Sequence, residues 1–163
     1  MAITQQLARM NSNIFFKCCE NAEQFSQLIS FNLLPEENYL DLCLASEGLK
    51  VLSRLSGQTY NAHSALYVSC DGTRPVFLNS DETWGPIFSI QAEEVRLVFS
   101  GLAEINLDRL LGSVPKEEYT WNRFFGSEKP SNPEAYYKKY FNLLFAFYKK
   151  AADSGESVIV WLD

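Results

Sequence analysis

The sequence contains one histidine, His63, among 163 residues. That scarcity removes most catalytic and metal-binding constellations, because imidazole is both the usual general base near neutral pH and the commonest metal ligand. No G-x-S-x-G elbow surrounds any serine, so a nucleophile partnered by His63 has no local signature. The eight glycines are single and scattered, and none falls in a phosphate-cradling pattern. The cysteines Cys18, Cys19, Cys43 and Cys70 lack the spacing of a zinc or redox motif, which leaves buried reduced thiols as the reading. No catalytic residue, metal ligand or cofactor is assigned.

Long apolar runs are also missing, and Met1-Ala2-Ile3-Thr4-Gln5-Gln6 has no basic stretch leading into an apolar core. The chain therefore reads as cytoplasmic, with no membrane partner. Positive charge is in deficit: Lys and Arg number 14 against 20 Asp and Glu, for a net charge of −6. With no basic excess to offset repulsion from phosphates, nucleic acid is not an expected partner.

What is present belongs to a globular chain. Hydrophobic residues make up 47% and aromatics 14%, well above the composition of disordered segments. Nothing resembling a linker interrupts residues 1–163, so one domain is expected. The best-punctuated unit lies at the C-terminus. Asn132 and Pro133 suit the cap and first position of a helix, and Gly155 suits its left-handed end. Between them Tyr137, Phe141, Leu144, Phe145, Tyr148 and Ala152 form a core stripe, with Lys138, Asn142, Lys149 and Asp153 toward water. The run Val158-Ile159-Val160-Trp161-Leu162 then reads as a strand covered on both faces, which implies no cleavable tail.

Further upstream, Ile3 to Met10 reads as a first strand and Asn11-Ser12 as the cap of a helix over Asn13 to Cys19. Asn21 and Gln24 have the form of a capping box for a second helix. A loop follows through Pro35, then a short half-buried strand over Tyr39 to Leu44, then a helix from Ser46-Glu47 that Gly57 stops. Ala65 to Val68 and Val76 to Leu78 are expected to form a hairpin about Asp71-Gly72, with Pro75 marking an edge. A helix is expected from Gln91 to Glu104, a short one over Asp108 to Leu111, and irregular chain over Val114 to Pro130.

Candidate function rests on a grouping of acids and aromatics. Asp81, Glu82 and Trp84 form one group; Glu117, Glu118, Tyr119 and Trp121 form the other. Each sets large rings beside carboxylates in expected loops, the composition of binding sites and interface anchors. Eight acidic residues between Asp81 and Glu118 face only Arg96, Arg109 and Lys116, while Lys129 to Lys150 holds five lysines and one acid. This imbalance favours a non-catalytic protein-binding module with a basic protein partner, of the inhibitor or immunity type that would meet a basic toxin. The alternative is a small-ligand-binding protein or enzyme with a pocket near Trp84 and Trp121.

Three segments carry a family resemblance: Leu55-Ser56-Gly57, Trp84-Gly85-Pro86-Ile87-Phe88 followed by Glu93-Glu94-Val95, and Phe145 to Asp163. They resemble the YfbM-like family of bacterial proteins of unknown function. Such proteins tend to carry Asp, Trp and His upstream of the Leu-Thr-Gly helix end, where this chain has Cys43, Ala45, Gly48 and Leu49. The resemblance implies an α+β fold and brings no activity with it. The expected architecture is a small mixed sheet that includes the C-terminal strand, covered by several helices.

Overall fold

The strand Gln5–Met10 (β1) leads into the helices Ser12–Glu20 (α1) and Ala22–Ile29 (α2), then through a tight turn at Glu36–Asn38 to the strand Tyr39–Asp41 (β2). Helices Ala45–Leu55 (α3) and Tyr60–Asp71 (α4) precede the strands Arg74–Val76 (β3) and Ile87–Ile90 (β4). Helices Ala92–Ala103 (α5), Leu107–Gly112 (α6), Glu118–Phe124 (α7) and Pro133–Ser154 (α8) follow, and Ser157–Leu162 (β5) closes the sheet. These coordinates are a computed structural model, which describes residues 3–76, 85–125 and 129–163.

The five strands are ordered β2-β1-β5-β4-β3. The α+β class and the place of the last strand in the sheet agree with expectation, and β5 lies at its centre. The mixed sheet needs correcting, because every pairing among the described strands is antiparallel. A parallel pair needs a crossover that returns the chain to its starting end. Here the four helices between β4 and β5 bring it back beside the end at which β4 stopped, with Ile90 opposite Val158.

Asparagine caps act where the sequence places them. Asn11 accepts from the Ile14 amide, Asn132 accepts from the Ala135 amide, and Pro133 opens α8. Asn21 accepts from the Glu23 and Gln24 amides, but its own N–H already serves the Lys17 carbonyl at the end of α1. Gln24 consequently turns to Gln27, and the capping box is only half built. The reciprocal box forms instead on α5, between Gln91 and Glu94.

The hairpin expected about Asp71-Gly72 is a helix terminus. Thr59 caps α4 by accepting from Ala62, and the buried residues Ala62, Ala65, Leu66, Ser69 and Cys70 recur with helical spacing. Gly72 then takes φ +75, and a Cβ there would press against the Phe88 side chain, so glycine serves the stop rather than a hairpin. Val76 ends β3, whose partner β4 was not expected; Pro75 does lie on the edge strand, opposite Phe88. Leu78 falls outside the described residues. The segment read as irregular between Val114 and Pro130 contains α7, which sets Trp121 and Phe125 on one face four residues apart.

Two apolar clusters flank the sheet. Leu7, Ile90, Val158 and Val160 meet α3, α4, α5 and α8 on one side; Ala8, Met10, Ile159 and Trp161 meet α1 and α2 on the other. On α8 the buried face is Tyr137, Tyr140, Phe141, Leu144, Phe147, Tyr148 and Ala151, with Phe145 and Ala152 at its margin. The stripe is thus rotated slightly from the one read in the sequence.

Candidate functional site

The acidic and aromatic residues singled out in the sequence part company in the fold. Trp121 is fully buried and stacks on Phe125, with ring centroids 4.2 Å apart and planes 10° from parallel. Tyr137 and the Lys129 ammonium also lie beside the ring. Glu117, Glu118 and Tyr119 point away from this core at the start of α7, and Tyr119 is 75% exposed. Asp81, Glu82 and Trp84 lie outside the described residues. Trp121 is thus a packing residue, and the aromatic available beside the two glutamates is Tyr119.

His63 has one feature the sequence did not disclose: its Nδ1 is 2.9 Å from Ser53 Oγ, between α4 and α3. The arrangement resembles a nucleophile and base, but Ser53 is only 1% exposed and the imidazole packs on the Tyr67 ring. A hydroxyl closed off in this way has no path to an acyl group. The pair ties two helices together.

Two of the thiols, Cys18 and Cys70, are shielded by burial. Burial pushes Cys70 up to about 12, and burial followed by the neighbouring Cys19 pushes Cys18 up to about 11. Among the described residues no group of three or more His, Cys, Asp and Glu is arranged to hold a metal ion. Nor is any helix long and apolar enough to cross a membrane. At the start of α3, where relatives are expected to carry polar residues, the chain is packed. Ala45 and Leu49 are buried, Gly48 lies directly under the Tyr137 ring, and the Tyr140 hydroxyl donates to Cys43 Sγ.

A groove of about 530 Å³ runs between α4 and α5. It exists because the helices approach closely at one end, where Gly101 meets Ala65 and the Asn61 carbonyl and where any Cβ would collide. Ala65, Val68 and Val98 make an apolar floor. Its rims carry Tyr60, 83% exposed, and Leu97, 73% exposed. On α5 the outward stripe reads Glu93, Leu97, Ser100 and Glu104, so the leucine interrupts a polar face. That interruption was the signal available in the sequence.

Apart from Tyr60, the ionisable side chains that line the groove are both acidic. Glu94 and Glu104 line it, and no Lys or Arg appears among the described lining residues. Burial works to raise the Glu94 carboxyl, but the Gln91 amide, the Thr73 hydroxyl and the Arg74 guanidinium outweigh it and hold the group below its usual range. Glu104 accepts from the Thr59 hydroxyl at 3.1 Å and remains exposed. Hydrogen bonds thus anchor both carboxylates at the groove.

The whole fold is shared with a solved structure, that of YfbM from Escherichia coli, a protein of unknown function. The likeness covers 98% of this chain and 99% of that one, with a TM-score of 0.64 at 14% identity. No match is found among curated proteins. Residues 48–161, from within α3 to the end of the sheet, match a domain of unknown function, DUF1877. That match spans most of the sequence, and the chain belongs to the DUF1877 family.

Proposed function

We propose that this protein is a non-catalytic protein-binding module whose docking surface is the groove between α4 and α5, and that its partner presents a basic amphipathic helix. The observation that carries this reading is the placement of Tyr60 and Leu97. They are among the most exposed large hydrophobic residues of the described chain, and they border the same groove. Isolated exposed apolar residues are ordinary, whereas two flanking an apolar furrow form an anchor pair. A furrow between two helices accepts a third helix through side chains at i, i+3, i+4 and i+7. Carboxylates at the groove without a cation among its lining select lysine and arginine on the incoming helix, in keeping with the net charge of −6.

The alternative of a ligand pocket beside Trp84 and Trp121 draws no support from Trp121, whose ring is buried. The acidic group Glu117, Glu118 and Tyr119 supports basic-partner binding as a second contact, because all three are exposed on one turn.

A lysine-rich amphipathic helical peptide and its glutamate-rich counterpart test the groove directly by fluorescence anisotropy. The basic peptide should bind, with an affinity that falls as salt rises. The double variant Tyr60→Ser, Leu97→Ser should bind it at least about tenfold more weakly while melting as the parent does. Equal binding of both peptides, or unchanged binding by the double variant, would refute the proposal.

A further inference from the structure

On the opposite face of the sheet, the register sets three side chains in one row across three strands. Asp41 of β2 is opposite Gln6 of β1, and Gln6 is opposite Trp161 of β5. Residues directly opposite in a ladder share a face, so carboxylate, amide and indole stand side by side. Tyr39 lies two residues before Asp41 and projects to the same side. Asp41, Gln6 and Tyr39 line a cavity of about 760 Å³ that Phe31, Glu36 and Asp163 help to enclose, and Trp161 lies behind the Phe31 ring.

The aromatic groups form a wall. The Phe31 ring lies 5.0 Å from that of Tyr39 and 6.2 Å from that of Trp161, tilted to both. The Tyr39 hydroxyl is engaged by the Leu34 amide, which fixes the ring at the cavity. Phe31 ends α2 at φ +59, a position usually given to glycine, so a bulky ring is held there against the backbone preference.

The polar groups are those a cation would require. Glu36, Asp41 and Asp163 form no ion pair among the described residues, although all three line the same cavity. One Asp41 oxygen accepts from the Cys43 amide at 2.6 Å, which positions the carboxylate and leaves its other oxygen available. Gln6 is only 4% exposed and lines the cavity floor. Its side chain donates from Nε2 to Thr4 Oγ1 at 2.8 Å, and its carbonyl Oε1 has no partner among the described residues. An acceptor that faces the cavity without a protein donor, at the foot of three unpaired carboxylates and an aromatic wall, fits a ligand that carries N–H donors and positive charge on an apolar chain.

From this juxtaposition of Gln6, Asp41, Phe31 and Tyr39 we infer that the cavity binds an alkylammonium ligand, with a protonated amine donating to Gln6 Oε1 and Asp41 and its methylene chain against the rings. A bare metal ion would use the carboxylates and leave the rings idle. A quaternary ammonium would use the rings and leave Gln6 unmet. Protonated amines on a flexible chain use both.

Spermidine is the probe, titrated by calorimetry in about 0.15 M salt so that weak surface attraction is screened. The expected result is saturable binding, with the Trp161 indole N–H resonance shifting at the same midpoint. Asp41→Asn keeps an acceptor for the Cys43 amide and should weaken binding several-fold. Phe31→Gly removes the ring at a backbone position glycine adopts freely, so the fold should persist while affinity drops about tenfold. The inference is overturned by an absence of saturable binding, by magnesium binding as tightly as spermidine, by Phe31→Gly binding as the parent does, or by spermidine binding that leaves the Trp161 resonance unmoved.

Discussion

One face of the sheet lies under α3, α4, α5 and α8; the other has α1 and α2 for cover. Under the deeper layer polar groups find partners within the protein. The Tyr148 hydroxyl donates to the Ser69 carbonyl at 2.8 Å, and the Lys50 ammonium sits between Glu47 and Asp71 at 2.6 and 2.7 Å. Under the thinner layer Trp161 Nε1 is buried without a hydrogen-bond partner, and the cavity at Phe31 stays open. Coverage by several helices brings more backbone and side-chain partners to the groups beneath it, whereas two short helices leave a cavity open. Ligand-sized space is a by-product of shallow cover on one side; on the other, the α4–α5 groove lies on the outer surface of the layer.

Matched truncations offer the strongest way to break this contrast. Leu144 on α8 and Leu28 on α2 are both fully buried, so leucine to alanine removes the same atoms from each. Leu144→Ala should destabilise by about 4 to 5 kcal/mol and Leu28→Ala by about 2.5 to 3, because the thinner layer can collapse into its cavity. Equal losses in urea melts would mean that the two faces are packed alike.

A smaller effect is expected at the helix contact beneath the groove. Gly101→Ala would drive a methyl group into Ala65 and the Asn61 carbonyl, so a loss of about 1 to 3 kcal/mol should outweigh the better helix propensity of alanine. A neutral or stabilising result would show that α4 and α5 part easily.

Alkaline pH sharpens the comparison further. Cys70 keeps its proton in the folded state up to about 12, while the unfolded thiol loses it near 9.0. Unfolding therefore releases a proton between these values, and stability that is complete below pH 9 declines as pH rises through that window. Cys70→Ala should lose less stability than the parent between pH 7 and pH 10, by roughly 1 kcal/mol. Parallel pH profiles would show that this thiol is not shielded.

The least effect belongs to Tyr119→Ser, which should shift stability by no more than about 0.5 kcal/mol, since the ring is exposed. A loss several times larger in thermal melts would return Tyr119 to the core.

Local chemistry made much of this fold legible. Asparagine caps, Pro133 and Gly155 act through neighbours a few residues away, so they can be read from the sequence alone. Asp71-Gly72 could not be read in this way, because the same dipeptide serves a hairpin turn and a helix stop; the packing of Gly72 against Phe88 decides between them. Trp121 looked like a loop anchor until α7 turned it toward Phe125 and Tyr137. The two candidate sites were less legible still. Tyr60 and Leu97 come together through helix packing, and Asp41, Gln6 and Trp161 through a ladder that spans almost the whole chain.

The position of β5 has a consequence for how the protein comes into being. It bonds to β1 on one side and β4 on the other, yet it is made after both. Until it arrives, the sheet exists as two separate two-stranded pieces, β2 with β1 and β3 with β4, each too small to hold together in water. Both pieces wait with an unpaired edge facing the same gap, and closing it joins residues as far apart as Gln5 and Leu162. Assembly is thus expected to be slow for a largely helical chain, and the interval before closure is when stray strand pairing between nascent molecules is most dangerous.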